Sequence, residues 1–178
     1  MDEAPRGRSA PIPPVLVDLV GRDRERAIPA LKDGFVGIYR WHAKRTLRSA
    51  TWVRAVVRDG EVAAVSVLER LDPEVGYVYY LSTAVSHRRS GLGGRLLDDA
   101  LELFRREGIK VVYGAAEEEN AASIALFRSR GFRPVERKEL GFREGGLGAW
   151  GLRSRMTLVG GEVLLGLRLG PAGLPSSP

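Results

Sequence analysis

The chain has 178 residues, a net charge of +6, 44% hydrophobic and 28% charged residues, and no cysteine. These values fit one soluble globular domain with a full core. They exclude disulfides, thiolate metal sites and a cysteine nucleophile.

The first residues, Pro5 to Pro14, are proline-rich and read as a tail. Val15 to Val20 is a short apolar strand. Asp23 to Leu31 reads as a charged helix that Pro29 bends or ends. Asp33 to Ser49 reads as a second helix, with Phe35, Ile38, Tyr39, His42 and Leu47 at near-helical spacing. Trp52–Val57 and Glu61–Leu68 are β-branched runs joined by Arg58-Asp59-Gly60, a hairpin signal. Leu71 to Gly76 reads as a loop and Tyr77 to Val85 as the next strand. Leu96 to Arg106 is an amphipathic helix with Leu96, Leu97, Ala100, Leu101 and Phe104 on its apolar stripe and Gly108 as its C-cap. Lys110–Gly114 reads as a strand and Asn120–Arg130 as a short helix closed by Gly131. Arg133–Leu140 and Glu162–Leu169 are the last strands. Gly170 to Pro178 reads as a second tail. The expected organisation is one domain over 14–169 between tails at 1–13 and 170–178. The expected class is a mixed α/β sheet, because a strand–helix–strand unit sits among antiparallel hairpins.

Between the Tyr77 strand and the Leu96 helix runs Arg88-Arg89-Ser90-Gly91-Leu92-Gly93-Gly94-Arg95. A glycine-rich turn entering a helix exposes backbone N–H groups at the positive end of the helix dipole, which suits a phosphate or pyrophosphate. Gly91 and Gly93 let the chain turn tightly and let a phosphate approach. Arg88, Arg89 and Arg95 either screen phosphate charge or are solvated surface arginines.

Arg88-x-x-Gly91-x-Gly93 resembles the phosphate loop of the GCN5-related N-acetyltransferases, the GNAT superfamily. Asn120-x-x-Ser123-Ile124-x-Leu126-Phe127-x-x-x-Gly131-Phe132 resembles their second signature. The specific part of the resemblance is Tyr77 to Phe132, and the element order extends it over Val15 to Leu169. It implies a central twisted, mostly antiparallel sheet, with one parallel pair splayed to hold CoA and helices on both faces. It implies acetyl-CoA as acetyl donor, direct transfer to a protein or small-molecule amine in a ternary complex, and no metal. The backbone of Leu81, Ser82 and Thr83 would pair with the pantetheine arm. The loop from Arg88 through Arg89, Ser90, Gly91, Leu92 and Gly93 to Gly94 would hold the pyrophosphate. Asn120 would contact the cofactor, cap its own helix, or do both. Phe127 would border the thioester end.

The chain departs from the resembling family where protons are handled. The usual tyrosine of the second signature is Phe127, which has no proton to give. Ser123, one turn away, either holds a water or is a small packing residue. A glutamate often used on the strand before the second signature is replaced by Ala115. Glu117 and Tyr79 are therefore the candidate catalytic residues, against the alternative that Glu117, Glu118 and Glu119 are solvated and the tyrosines pack. His42 is a further candidate base or a packed histidine, and Tyr39 and Trp41 either line the acceptor pocket or pack. The acceptor pocket would be built from the Phe35–Ser49 helix, the Leu71–Gly76 loop and the Arg137–Leu152 segment with Trp150. Because Phe127 and Ala115 leave two positions empty, a non-catalytic acyl-CoA-binding module is the alternative reading. No helix-turn-helix or RNA-binding motif accompanies the basic charge, so no nucleic-acid partner is expected. No apolar run approaches the roughly 20 residues that span a bilayer, and residues 1–14 lack the apolar core of a signal peptide. A cytoplasmic monomer or homodimer is expected.

Overall fold

The computed structural model describes residues 13–32, 38–136, 156 and 161–170, with the backbone alone at 32 and 38–43. The side chains of Tyr39, Trp41 and His42, the residues 1–12, and the Arg137–Leu152 segment with Trp150 lie outside the described residues.

Among the described residues, seven strands form one sheet in the order β1-β2-β3-β4-β5-β7-β6. The strands are β1 (Val15–Asp18), β2 (Trp52–Arg58), β3 (Glu61–Asp72), β4 (Val75–Thr83), β5 (Val111–Glu117), β6 (Arg133–Pro134) and β7 (Glu162–Arg168). Every pairing is antiparallel except β4 with β5. The helices whose bounds are described are α1 (Ile28–Lys32), α2 (Ile38–Ser49), α3 (Leu92–Arg106) and α4 (Ala121–Arg128), with 3-10 turns at Gly21–Ala27 and Val85–His87.

Local chemistry accounts for these elements. Asp59 and Gly60 both take positive φ, 51° and 83°, the geometry a two-residue hairpin turn requires. The α3 stripe of Leu96, Leu97, Ala100, Leu101 and Phe104 is buried as its spacing predicts. The helix closes with Gly108 N–H donating to the Arg105 carbonyl and Ile109 N–H to the Phe104 carbonyl, so its last carbonyls are satisfied. One face of the sheet meets α3 and α4, where Leu68, Val78, Val112 and Leu165 pack with Leu97, Phe104, Phe127 and Phe132. The other face meets α1 and α2, where Val53, Val65 and Val67 pack with Ala30, Leu31 and Leu47.

Several expected boundaries are corrected. Leu71–Gly76 is not a loop: β3 runs to Asp72 and β4 starts at Val75, leaving a tight turn at 73–74. The burial of Leu71 and Val75 against Tyr113, Met156 and Leu164 draws both strands that far. The first helical stretch is a 3-10 turn followed by α1, and Pro29 sits in the first turn of α1, where its missing N–H breaks no bond. Helix α3 begins at Leu92, four residues before its apolar stripe, because Gly93 and Gly94 are taken into its first turn. Strand β5 continues past Gly114 to Glu117, and β6 spans Arg133–Pro134.

Candidate active site

The site arises where the parallel pair separates. Strand β4 pairs with β5 only from Val75↔Val111 to Val78↔Gly114. Beyond that point, among the described residues, β4 runs to Thr83 with β3 as its strand partner and β5 runs to Glu117 with β7 as its strand partner. Tyr79–Thr83 and Ala115–Glu117 therefore face an opening with their facing backbone edges unpaired to each other. An extended ligand with amide groups can pair with such an edge as an added strand does.

A β-bulge opens the strand at this point. Val67 pairs with Tyr80 and Leu68 with Val78, so Tyr79 is an extra residue opposite none. Bulges bend a strand and re-aim its side chains. Here Val78 and Leu81 pack toward α3, whereas Tyr77, Tyr79 and Tyr80 all lie on the opposite face. Tyr79 meets Tyr77 edge-on at 5.2 Å and Tyr80 at 5.2 Å between centroids. Ser82 returns to the α1 side, and its hydroxyl donates to the Ala30 carbonyl at 2.7 Å. Its side chain thus ties β4 to α1, which leaves its backbone as the part that faces the opening.

The mouth of the opening is the N-terminus of α3. Gly91 takes φ 78° as the residue before the helix, and Arg89 takes φ 61°. The first backbone bond of the helix is from Arg95 N–H to the Gly91 carbonyl. Among the described residues, the N–H groups from Arg89 to Gly94 have no carbonyl partner. A run of such donors at a helix N-terminus is an anion site. Leu92 is 6% exposed, so it offers its N–H and not its side chain. Ser90 bonds the His87 carbonyl through its hydroxyl, and the Arg88 Nε donates to the Thr83 carbonyl at 3.4 Å. Arg95 is turned away from the loop, with its guanidinium on the Pro14 carbonyl at 3.0 Å.

Asn120 is exposed and caps α4: its Oδ1 accepts from Ser123 N–H at 3.1 Å, which leaves its amide NH2 for another partner. Phe127 is 3% exposed, with its ring edge on Gly114 and the Phe132 ring at 4.9 Å. The phenyl ring thus underlies the point where β4 and β5 part, without a polar atom and without open surface. Glu117 is exposed at the end of β5.

Glu162 is the first residue of β7. It pairs in register with Glu117, and directly opposed residues share a face. Burial, then the negative field of Glu162 and the neighbouring Tyr79 and Tyr80, hold the Tyr77 hydroxyl well above the ordinary tyrosine range. No local motif marks Glu162; the β5–β7 register sets it opposite Glu117. Among the described residues no His, Cys, Asp and Glu group could hold a metal, and no helix is long and apolar enough to cross a membrane.

Known proteins share this fold. The chain is similar to the ribosomal-protein-S18-alanine N-acetyltransferase from Escherichia coli, with a TM-score of 0.67 and 16% identity over 91% of this chain and 99% of that one. It is similar to a GNAT family acetyltransferase from Elizabethkingia anophelis solved with acetyl-CoA bound, with a TM-score of 0.60 and 15% identity over 88% of this chain and 98% of that one. In sequence it is 34% identical over 87 residues to the mycothiol acetyltransferase of Beutenbergia cavernae, covering 49% of this chain and 29% of that protein. The chain thus spans less than a third of that curated relative. The family model described as the Acetyltransferase (GNAT) family matches residues 18–132, and the chain belongs to that family.

Proposed function

We propose that this chain, as a single domain over 14–169, is an N-acetyltransferase that moves an acetyl group from acetyl-CoA directly to an amine of a protein or small molecule. The observation that carries the reading is the opening between β4 and β5 with the donor-rich N-terminus of α3 at its mouth. Its parts fit the chemistry of CoA. The unpaired edge at Leu81, Ser82 and Thr83 suits the amides of pantetheine. The N–H groups from Arg89 to Gly94 suit a pyrophosphate, with Arg88 beside them. The Asn120 amide suits a carbonyl of the same arm, and Phe127 supports the floor near the thioester. Bound there, acetyl-CoA supplies an activated acyl group.

The chain's residues then have two tasks. A backbone N–H near Leu81 or Ser82 polarises the thioester carbonyl. Glu117 or Tyr79, both on the acceptor face, handles the proton of the amine. With no cysteine in the chain, no cysteine acyl-enzyme forms and the amine attacks directly. We read the protein as cytoplasmic, monomeric or homodimeric, and without a metal, nucleic-acid or membrane partner.

The buried phenyl ring of Phe127 and the methyl of Ala115 favour one competing reading, an acyl-CoA-binding module without turnover. A thermal-shift titration with acetyl-CoA, followed by free-thiol release across amines and peptides, separates the two. A shift with thiol release supports the transferase. A shift with no release from any amine supports the module, and no shift overturns both.

A further inference from the structure

A cleft of about 360 Å³ lies at the other end of β5 from the opening. Val111 and Tyr113 line it where β5 is still paired with β4, and Val135, Gly166, Arg133 and Arg168 are among its other walls. Register sets these positions on one face. Val111 opposes Arg168 and Tyr113 opposes Gly166 across β5 and β7, and Arg133 opposes Gly166 across β6 and β7. Arg133 and Arg168 are therefore diagonal neighbours, about 7–8 Å apart, a spacing that two long side chains close around one shared anion.

Two observations give the cleft its chemistry. The first is charge left without a counterion. Nearby, Lys110 is held by Glu74 and Arg130 by Asp98. Arg133 and Arg168 are exposed and have no hydrogen bond or ion pair among the described residues. Two like charges at that spacing repel, and an anion between them reverses the sign of the interaction. The second is the apolar wall. A Cβ at Gly166 would stand 2.8 Å from Val135 Cγ2 and 3.0 Å from Tyr113 Cε1, so the valine and the tyrosine ring close over the glycine. A ligand thus meets two guanidinium forks at the rim and hydrocarbon within. The volume falls in the range of clefts that hold small molecules.

We infer that this cleft binds a small phosphomonoester with an apolar body, at a site separate from the acetyl-CoA opening. A phosphomonoester carries a charge of about −1.5 to −2 at neutral pH and three terminal oxygens, which matches two guanidinium groups. A monocarboxylate brings one charge and two oxygens, so it satisfies one fork and leaves the other unpaired. The apolar body lies on Val111, Tyr113 and Val135. The site stands whether or not the chain transfers acetyl groups.

The full chain is titrated with phenyl phosphate by calorimetry at low salt, with and without saturating CoA. Inorganic phosphate, benzoate and phenol are the comparison probes. Phenyl phosphate is expected to bind about tenfold more tightly than inorganic phosphate, which lacks the apolar body, and more tightly than benzoate, while phenol does not bind. Arg133→Gln and Arg168→Gln should each weaken phenyl phosphate about tenfold, and the double variant should not bind it. Arg168→Lys keeps the charge without the fork and retains part of the affinity. Neither arginine has a partner to lose, so thermal unfolding of all these variants should match the wild type. Chemical-shift mapping on the wild type should place the phenyl group at Val135 and Gly166, which tests the site without any variant. No binding of phenyl phosphate, binding no tighter than inorganic phosphate, undiminished binding in the double variant, mapping to the α3 loop, or displacement by CoA overturns the inference. A chain that fails to bind CoA but passes these tests overturns the acetyltransferase reading alone.

Discussion

The ring edge of Phe127 rests on the backbone of Gly114: a Cβ at 114 would stand 2.8 Å from Cε1 of the ring and 2.9 Å from Cζ. Gly114 is the last residue of β5 in register with β4, so this contact lies where the strands part. Phe132 at 4.9 Å blocks the ring from swinging aside. Gly114→Ala is therefore expected to destabilise the fold by about 1–3 kcal/mol, as overpacking does. Urea unfolding checks this. Adding Phe127→Leu, which shortens the side chain, should recover part of the loss; an additive double variant would contradict the contact.

At the α3 loop the strain is in the backbone. Gly91 takes φ 78°, and a Cβ there meets nothing within 4 Å. Gly91→Ala thus tests conformation without collision and should cost about 1 kcal/mol. Arg89 already takes φ 61°. Arg89→Gly relieves that residue and deletes its charge together. If the backbone holds the pyrophosphate, acetyl-CoA affinity by calorimetry stays unchanged in Arg89→Gly and falls in Gly91→Ala. The reverse order would assign the phosphate to the guanidinium.

Tyr77 gives the protein a signature in alkali. Its folded pKa is raised above the ordinary tyrosine value, first by burial and then by Glu162, Tyr79 and Tyr80. The unfolded chain releases this proton near pH 10 while the folded chain keeps it. The stabilisation is therefore complete below about pH 10 and is lost as pH rises beyond it, by about 1.4 kcal/mol per pH unit. Tyr77→Phe removes the ionisation, so its unfolding free energy should fall less steeply from pH 10 upward. Equal slopes in both proteins would show that the buried hydroxyl contributes nothing to the linkage.

Arg54 joins three elements. Its Nε and Nη2 donate to Asp99 of α3, each at 2.8 Å, and its Nη1 pairs with Asp18 of β1 at 2.7 Å. The Arg54 and Asp99 side chains are 13% and 10% exposed, so removing either one strands a poorly solvated charge. Arg54→Met and Asp99→Leu should each cost about 1–3 kcal/mol, somewhat less than for fully buried pairs. The double variant should cost clearly less than their sum, which a double-mutant cycle measures. Simple additivity would mean that the pair is uncoupled.

Much of this architecture could be read before the fold was seen, where a residue type and a local geometry coincide. Asp59-Gly60 marks its hairpin because few other pairs accept positive φ twice, and the α3 stripe marks its buried face by spacing alone. The Tyr79 bulge left no such mark. Tyr77 to Thr83 is uniformly suited to a strand, and the extra residue shows only in its pairing with β3. Leu71–Gly76 looked like a loop because Asp72, Pro73 and Gly76 are turn residues, yet the burial of Leu71 and Val75 kept them in strands. The pairing of Glu162 with Glu117 left no mark for a different reason: register is a property of the pair of strands rather than of either one.

Asn120 combines a structural task with a proposed cofactor contact, and the two separate by substitution. Its Oδ1 caps α4 by accepting from Ser123 N–H, and its amide NH2 is left over. Asn120→Ala removes both and should cost about 1 kcal/mol of stability as well as acetyl-CoA affinity. Asn120→Ser and Asn120→Asp retain an oxygen for the cap, so their stability by thermal denaturation should stay near that of the wild type. Neither carries the NH2 donors. Asp in addition places a carboxylate against a carbonyl, so its loss of acetyl-CoA affinity should exceed that of Ser. Retained affinity in both, with retained stability, would reduce Asn120 to a helix cap and leave the pantetheine arm to the backbone of β4.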